Sequence, residues 1–239
     1  MITELLYQID SYIKEFEAEV IHVEGNKVVL NKTAFHPRSG GVANDTGFLI
    51  SDNKRFRVVN VTIDKVNQVI IHYLKSESHN IRKGNIVKGI IDWSRRYMLM
   101  RLHTAAHIIA AIMYRDYNAV ITGGNVYPEY AYDDYSLEIF DRKIFEDVII
   151  KANEIVKRNL EIKIYWLERE KALKIPGIVK LASRMPPEIR TLRIVEIPDV
   201  DIQADGGPHV RNTKEIGEIV LLKVQNKGKK RKRMYYTVR

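Results

Sequence analysis

The apolar pattern changes near residue 90, and this change constrains the fold more than any other feature. Before it, short apolar runs alternate with polar residues and are separated by Gly, Asn and Asp, with a hairpin signal at residues 24–26. Several short strands at close spacing are typical of a small barrel or curled sheet. After it, the apolar residues of 98–113 cover nearly every face of a helix, which predicts one long buried helix with Asp92 or Ser94 as its N-cap.

The remaining residues mix both patterns. One helical face over residues 141–160 carries Ile144, Val148, Ile149, Ala152, Ile155 and Val156. The runs 135–140, 161–168 and 189–197 are predicted as strands, and the runs 215–225 and 231–239 as a hairpin joined through residues 226–228. The sequence therefore predicts an α+β fold with a β-rich domain at residues 1–90 and a second domain at residues 91–239.

Composition excludes several classes of protein. With 45% hydrophobic and 29% charged residues the chain is predicted to be soluble and globular. No apolar run approaches the roughly 20 residues that span a bilayer, and acidic residues interrupt the N-terminus where a signal peptide would be apolar, so we expect a cytoplasmic protein without a membrane partner. Cysteine is absent, so any metal must be held by histidine and carboxylate.

The positive charge is concentrated near the C-terminus. Residues 227–233 contain six cationic side chains, and without them the formal net charge of +9 would be +3. Such a patch is typical of a protein that binds a polyanion such as nucleic acid. A solvated basic hairpin that serves only solubility explains the same run, and composition alone does not decide between the two.

Two histidines, His103 and His107, lie four residues apart on the predicted buried helix. Residues at this spacing project from the same helix face, so two imidazoles can reach one metal ion. Small neighbours, Ala105 and Ala106, leave room for a site. Two hydrogen-bonded core histidines are the alternative interpretation. The residue after His103 is not Glu, so the zinc-protease pattern is not met.

A second pair of candidate ligands, Asp205 and His209, flanks the sequence Gly-Gly-Pro. Glycines let a backbone approach other groups closely, so this turn could complete a four-ligand set with the helix pair. Three imidazoles and one carboxylate suit Zn²⁺. Taken alone, the same residues also fit an ordinary turn.

Three motifs in this order resemble a known family: TAFHPRSGGVANDTG in the β-rich region, RLHTAAH near the start of the second domain, and DIQADGGPHV about a hundred residues later. They are similar to the AlaX family, free-standing alanyl-tRNA editing proteins related to the editing domain of alanyl-tRNA synthetase. The resemblance implies a small N-terminal β-barrel domain, a two-layer α/β editing domain, one bound zinc ion, and hydrolysis of the ester in wrongly charged tRNA(Ala).

The resemblance also implies roles for particular residues. Zinc would be held by His103, His107, Asp205 and His209, with Asp205 at a position where the synthetases usually have Cys. The substrate pocket would include Gly40, Gly41, Thr104 and Gln203. The tRNA(Ala) acceptor end is the implied partner, and the cations expected to contact it are Lys229, Lys230, Arg231, Lys232 and Arg233.

The resulting prediction is a zinc-dependent deacylase acting on seryl-tRNA(Ala), with glycyl-tRNA(Ala) as a second candidate substrate. Because 239 residues leave no room for an aminoacylation domain, we expect editing in trans. Two alternatives stay open: an RNA- or tRNA-binding module with a structural zinc, and a metallohydrolase acting on another ester or amide.

Overall fold

A computed structural model of the chain describes residues 2–176, 178 and 190–239. The chain divides into two compact units, Met1–Leu99 and Met100–Arg239. The predicted domain boundary between residues 90 and 91 remains a prediction.

The first unit is built around a closed barrel. Its elements are β1 (Glu4–Leu5), α1 (Leu6–Ile9), β2 (Glu15–Glu24), β3 (Lys27–Leu30), β4 (Lys32–Thr33), β5 (Gly47–Ser51), β6 (Lys54–Asp64), β7 (Val69–Leu74) and β8 (Ile86–Ile91). The barrel order is β2-β3-β7-β6-β5-β8. Burial alternates along β7, as expected for strands with one face on a core. The β2–β3 hairpin turns at Gly25, which has a φ of +55°, so the predicted hairpin and barrel are confirmed.

The long helix α2 (Trp93–Tyr117) follows β8 directly. The carboxylate of Asp92 accepts hydrogen bonds from the Ser94 hydroxyl at 2.9 Å and from the backbone N–H of Arg95 at 3.4 Å. Asp92 rather than Ser94 is therefore the N-cap of the helix. Apolar side chains on several faces of α2 are buried, which confirms the predicted buried helix. No helix in the described part of the chain has the length and apolar character needed to cross a bilayer.

The second unit combines helices with two antiparallel sheets. After α2 its elements are β9 (Ile121–Val126), β10 (Ala131–Tyr135), α3 (Arg142–Lys157), β11 (Lys163–Glu168), α4 (Arg169–Ala172), β12 (Thr191–Ile197), β13 (Asp201–Ala204), a 3-10 helix (Thr213–Ile216), β14 (Ile219–Asn226) and β15 (Lys232–Val238). The sheet orders are β14-β15-β10-β9 and β11-β12-β13. A barrel followed by an α/β region confirms the predicted fold class.

One predicted strand, residues 135–140, was wrong. The strand is β10, which ends at Tyr135 and contains two acidic residues that have partners within the sheet. Asp133 accepts a hydrogen bond from the Tyr236 hydroxyl at 2.8 Å, and Asp134 accepts two from the Arg233 guanidinium. Paired in this way, carboxylates are tolerated in a largely buried strand.

Strand β9 and the first turn of α3 also differ from the sequence prediction, whereas strand β12 agrees with it. Strand β9 was not predicted, because Gly123 and Gly124 resemble a turn. On α3 the buried residue of the first turn is Phe145, while Ile144 is half-buried. Strand β12 confirms the run predicted at 189–197, of which residue 189 lies outside the described residues.

Candidate metal centre

Four of the predicted ligands lie together in the second unit. His103 and His107 project from α2, and Asp205 and His209 come from the turn that follows β13. One ligand atom from each residue lies within 4.8 Å of the others. The rings also pack on one another, with centroids 4.2 Å apart for His103 and His209 and 4.7 Å apart for His107 and His209. The group is compact enough to hold one metal ion.

The Gly-Gly-Pro turn allows this close approach. A Cβ atom on Gly207 would lie 2.7 Å from Cε1 of His103, so a side chain here would displace the ring. The backbone N–H of Gly207 donates to Oδ1 of Asp205 at 2.7 Å, which fixes the carboxylate within the turn. Glycine is therefore required at position 207 by space.

Two of the histidines use Nδ1 to contact acceptors outside the group. Nδ1 of His103 lies 3.3 Å from the carbonyl oxygen of Pro208, and Nδ1 of His107 lies 2.9 Å from Oδ2 of Asp201. Because a carbonyl or carboxylate oxygen only accepts, each Nδ1 must carry the proton. In a neutral ring the lone pair is then on Nε2, the usual state of a histidine that ligates through Nε2.

Thr104 sets the tautomer of His209. Its hydroxyl donates to the carbonyl of Met100 at 2.9 Å and accepts from the backbone N–H of Val210 at 3.3 Å. Nδ1 of His209 lies 3.0 Å from the same hydroxyl oxygen, whose proton already points to Met100, so Nδ1 is the donor here too. The lone pair of Nε2 therefore faces Oδ1 of Asp205 at 3.1 Å.

Electrostatics favour the same protonation state. Burial lowers the pKa of His103 to about 4, and burial together with the nearby His103 lowers the pKa of His209 well below its usual value. Burial alone would raise the pKa of Asp205, but the neighbouring histidines hold it well below its ordinary range. The neutral imidazoles of His103 and His209 and the ionised carboxylate of Asp205 thus face one another with lone pairs. A divalent transition metal fits such a set, because it binds deprotonated ligands.

Sequence reasoning missed two residues that hold this arrangement in place. Nη1 of Arg193, on β12, donates to the carbonyl oxygens of Asp205 and Gly207, both at 2.9 Å. Asp201 accepts from His107 and also from Nε2 of Gln203 at 3.0 Å. The alternation in DIQAD was an available signal, because residues 201, 203 and 205 lie on one face of an extended strand.

The other predicted pocket residues, Gly40 and Gly41, lie in the first unit. They form a turn in which Ser39 and Val42 exchange backbone hydrogen bonds of 3.2 and 2.8 Å. Both glycines have positive φ, +59° and +86°. Their role in a substrate pocket remains a prediction.

The structure separates the five predicted tRNA-binding cations. Lys229, Lys230 and Arg231 are exposed in the β14–β15 turn. Lys232 is buried, and its Nζ donates to the carbonyls of Gly228 and Lys229 at 2.7 and 3.0 Å.

Arg233 is half-buried and has a carboxylate partner within the sheet. Its Nε and Nη2 donate to Asp134 at 2.7 and 2.8 Å. That hydrogen bonding raises the pKa of Arg233 further above its ordinary value. A charge neutralised in this way is less available to a phosphate than the exposed cations of the turn are.

Sequence comparison finds relatives of known name that match this chain over nearly its whole length. An alanyl-tRNA editing protein AlaX-M of Saccharolobus solfataricus is 57% identical over 238 residues, covering 99% of both chains. One of Methanosarcina barkeri, also named AlaX-M, is 43% identical over 242 residues, again covering 99% of both chains. The chain belongs to the AlaX family of alanyl-tRNA editing proteins.

More distant matches show that this AlaX chain is similar to parts of aminoacyl-tRNA synthetases. Residues 5–95 match the family described as tRNA synthetases class II (A), and residues 192–235 match the threonyl and alanyl tRNA synthetase second additional domain. The alanine–tRNA ligase of Saccharolobus islandicus is 36% identical over 233 residues, which are 93% of this chain and 25% of the ligase. The second of these matched segments includes Arg193, Asp201, Asp205 and His209.

Proposed function

We propose that this chain is an aminoacyl-tRNA deacylase that edits mischarged tRNA(Ala) in trans. The observation that carries the proposal is a four-ligand cluster in a chain that matches alanyl-tRNA editing proteins over 99% of its length. The preferred substrate is proposed to be seryl-tRNA(Ala), followed by glycyl-tRNA(Ala). Such an activity is needed because a synthetase pocket rejects a substrate that merely adds a hydroxyl by only about 10²-fold.

The ion is proposed to be Zn²⁺, held by His103, His107, Asp205 and His209. When bound, zinc supplies a Lewis acid and lowers the pKa of a coordinated water towards about 7. The carboxylate side of the site has partial access to solvent, because the Asp205 side chain is 20% exposed, against 7% for His103 and 0% for His209. Solvent access supports a catalytic site over a closed structural one.

The protein groups around the ion maintain its ligands in a reactive state. Arg193 donates to the backbone carbonyls of Asp205 and Gly207, so it fixes the turn that carries the Asp205 ligand. Asp201 and Thr104 orient His107 and His209. Thr104 and Gln203 are proposed to lie beside the aminoacyl group, since Thr104 contacts the ligand His209 and Gln203 contacts Asp201, which orients His107. In the reaction a water oxygen adds to the acyl carbon, the bond to the ribose oxygen breaks, and that oxygen leaves with a proton.

The exposed cations of the β14–β15 turn are proposed to contact tRNA phosphates. Lys229, Lys230 and Arg231 support this, because their side chains point to solvent at one end of a hairpin. Each phosphate contact with a single strand should contribute about 0.7 to the slope of log K against log[salt]. Replacement of these three residues by Ser should flatten that slope and weaken binding, with little change in the rate at saturating tRNA.

Deacylation assays on seryl-, glycyl- and alanyl-tRNA(Ala) test the main proposal. We expect seryl-tRNA(Ala) to be hydrolysed fastest and alanyl-tRNA(Ala) to be spared. Chelation should stop hydrolysis, added zinc should restore it, and circular dichroism should show a folded protein throughout.

Two outcomes would overturn the proposal. Full hydrolysis by a chelated protein without bound metal would show that the deacylation does not require a metal ion. Loss of the folded circular-dichroism spectrum on chelation, with no deacylation by the metal-loaded protein, would instead favour a binding module with a structural zinc.

A further inference from the structure

One face of the four-stranded sheet β14-β15-β10-β9 carries a row of half-buried tyrosines. We call Tyr127, Tyr130, Tyr132 and Tyr235 the tyrosine face. Tyr132 on β10 and Tyr235 on β15 are paired residues in the sheet register, with ring centroids 5.5 Å apart. Tyr130 lies 6.0 Å from Tyr235 and 5.4 Å from Tyr127, so the rings follow one another across the surface.

These tyrosines are not part of the core. Along β15 burial alternates, with Met234 and Tyr236 fully buried and the residues between them half-exposed. The buried Tyr236 donates its hydroxyl to Asp133, as a core tyrosine is expected to do. The tyrosine face lies on the opposite side of the strands, with ring surface still accessible to another molecule.

An arginine is held flat among these rings. Cζ of Arg233 lies 3.9 Å from the ring centroid of Tyr132 and 5.8 Å from that of Tyr235. The two hydrogen bonds that Arg233 donates to the Asp134 carboxylate fix the guanidinium plane and neutralise its charge. Arg233 thus acts as a further planar surface in the row, suited to stacking rather than to attracting phosphate.

Exposed cations lie at one end of this row, and one of them, Lys230, forms an ion pair of 3.7 Å with the exposed Glu138. Arg231 is two residues from Arg233, and a strand rises about 3.3 Å per residue, so the exposed turn of Lys229, Lys230 and Arg231 begins roughly 7 Å along the backbone from Arg233. A surface of flat rings that ends in exposed positive charge is complementary to a nucleotide strand, which has flat bases and a negative backbone.

We propose that the tyrosine face binds unpaired nucleotides of RNA by base stacking, while the exposed cations of the turn contact the adjacent phosphates. Single-stranded RNA is the expected occupant because the bases of a duplex are already stacked on one another and are inaccessible to side chains. The identification of that strand as part of a tRNA rests on the proposed deacylase function.

Fluorescence anisotropy with a labelled 12-nucleotide single-stranded RNA, and with the duplex of the same sequence, tests this directly. Tyr132→Ala and Tyr235→Ala should each weaken single-strand binding by about 5- to 100-fold, the range for one lost base–aromatic stack. Tyr132→Phe and Tyr235→Phe keep the ring and should bind like the unmodified protein. The salt slope should be unchanged in all four variants, because no phosphate contact is removed.

Three results would overturn the proposal: unchanged affinity in both Ala variants, an equal loss in the Phe variants, or equal affinity of the unmodified protein for single strand and duplex. Because Tyr132→Ala also removes the ring beneath Arg233, a second experiment avoids substitution. Photo-cross-linking of the unmodified protein to the same RNA carrying 5-iodouridine should attach to peptides that contain Tyr130, Tyr132 or Tyr235. Cross-links confined to other peptides would contradict the assignment.

Steady-state deacylation separates this inference from the proposed function. If both hold, the Ala variants raise KM for seryl-tRNA(Ala) and leave kcat unchanged. If the unmodified protein hydrolyses seryl-tRNA(Ala) and the Ala variants keep its KM, the tyrosine face is wrong and the deacylase stands. If the unmodified protein does not hydrolyse seryl-tRNA(Ala) but the Ala variants lose RNA binding, the proposed deacylase is wrong and the tyrosine face stands.

Discussion

The chain contains two Gly-Gly turns, Gly40–Gly41 in the first unit and Gly206–Gly207 in the second. In the first turn both glycines have positive φ, which residues with a side chain rarely adopt. A Cβ on Gly40 would meet no atom within 4 Å. In this turn glycine is needed for backbone conformation, and at Gly40 a side chain would have space.

The second turn reverses both conditions. Neither Gly206 nor Gly207 has a positive φ, so other residues could adopt their backbone conformation. A Cβ on Gly207, however, would lie 2.7 Å from the ring of His103 and 3.3 Å from Oδ1 of Asp205. In this turn glycine is needed for space, because two candidate metal ligands occupy the volume that a side chain would fill.

A buried arginine supports each turn, and the two arginines bind different groups. Arg96 pairs with the carboxylate of Asp45, and both side chains have no exposed surface. Asp45 in turn accepts from the backbone N–H of His36, which closes the loop around the first turn. Arg193 donates to two backbone carbonyls of the second turn, and the Asp205 carboxylate faces His103 and His209. The first loop is neutralised internally, whereas the second keeps a negative charge for a cation.

Removal of a histidine should have the largest effect, because the second turn is proposed to close around a metal. His103→Ala should lose deacylation of seryl-tRNA(Ala) and most bound zinc, since four ligands share roughly 10–16 kcal/mol of binding. His103→Gln, which has a polar group but ligates poorly, should be nearly as inactive. Metal analysis measures bound zinc in both variants, and single-turnover assays measure their deacylation. Full activity of a metal-free His103→Ala protein would contradict the proposal that the second turn closes around a catalytic metal.

Loss of the arginine that supports the first turn should lower the unfolding free energy of the protein. Arg96→Met leaves the Asp45 carboxylate buried without its partner, which should cost about 3–5 kcal/mol of unfolding free energy. Adding Asp45→Leu to Arg96→Met should recover part of that loss, since no unpaired charge then remains. Urea denaturation of the two proteins measures the difference. A loss below about 1 kcal/mol would mean that the buried ion pair is not what holds this loop.

Much of this arrangement could be predicted from the sequence, because local patterns carry it. His103 and His107 are fixed relative to each other by helix geometry alone, and the barrel strands are separated by clear turn signals. The Gly-Gly-Pro sequence marked a turn with room for close approach.

The remaining features depend on pairing between distant segments. Arg193 faces the second turn because β12 pairs with β13 in the register Ile194↔Ala204, and no local pattern sets that register. The error at β10 has the same origin, since Asp134 is acceptable in a strand only because Arg233 lies opposite. The cations of the basic run were predicted as one set, but neighbours from the fold separate Lys232 from Lys230.

A methyl group at position 207 should weaken the metal site without unfolding the protein. Gly207→Ala forces the His103 ring from its place, which should reduce zinc affinity by about 10–100-fold, as for other changes that misorient a ligand. Gly206→Ala is the matched control, because Gly206 is exposed and has no positive φ. Zinc titration against a chelating dye measures both variants. Equal affinities would show that the ring can move freely and that space does not explain this glycine.

The smallest effect is expected at Gly40, where the same substitution should act on stability alone. Gly40→Ala places a side chain at a φ of +59° in open surroundings, which should cost about 1–2 kcal/mol of unfolding free energy because L-residues are strained there. Gly40→Asn should cost less, since Asn tolerates this conformation better. Zinc affinity should be unchanged in both variants, in contrast to Gly207→Ala. Urea denaturation, zinc titration and deacylation assays on these variants separate backbone strain from function. If Gly40→Ala loses deacylation while keeping its stability and its zinc, backbone conformation does not explain this glycine, and its predicted place in the substrate pocket gains support.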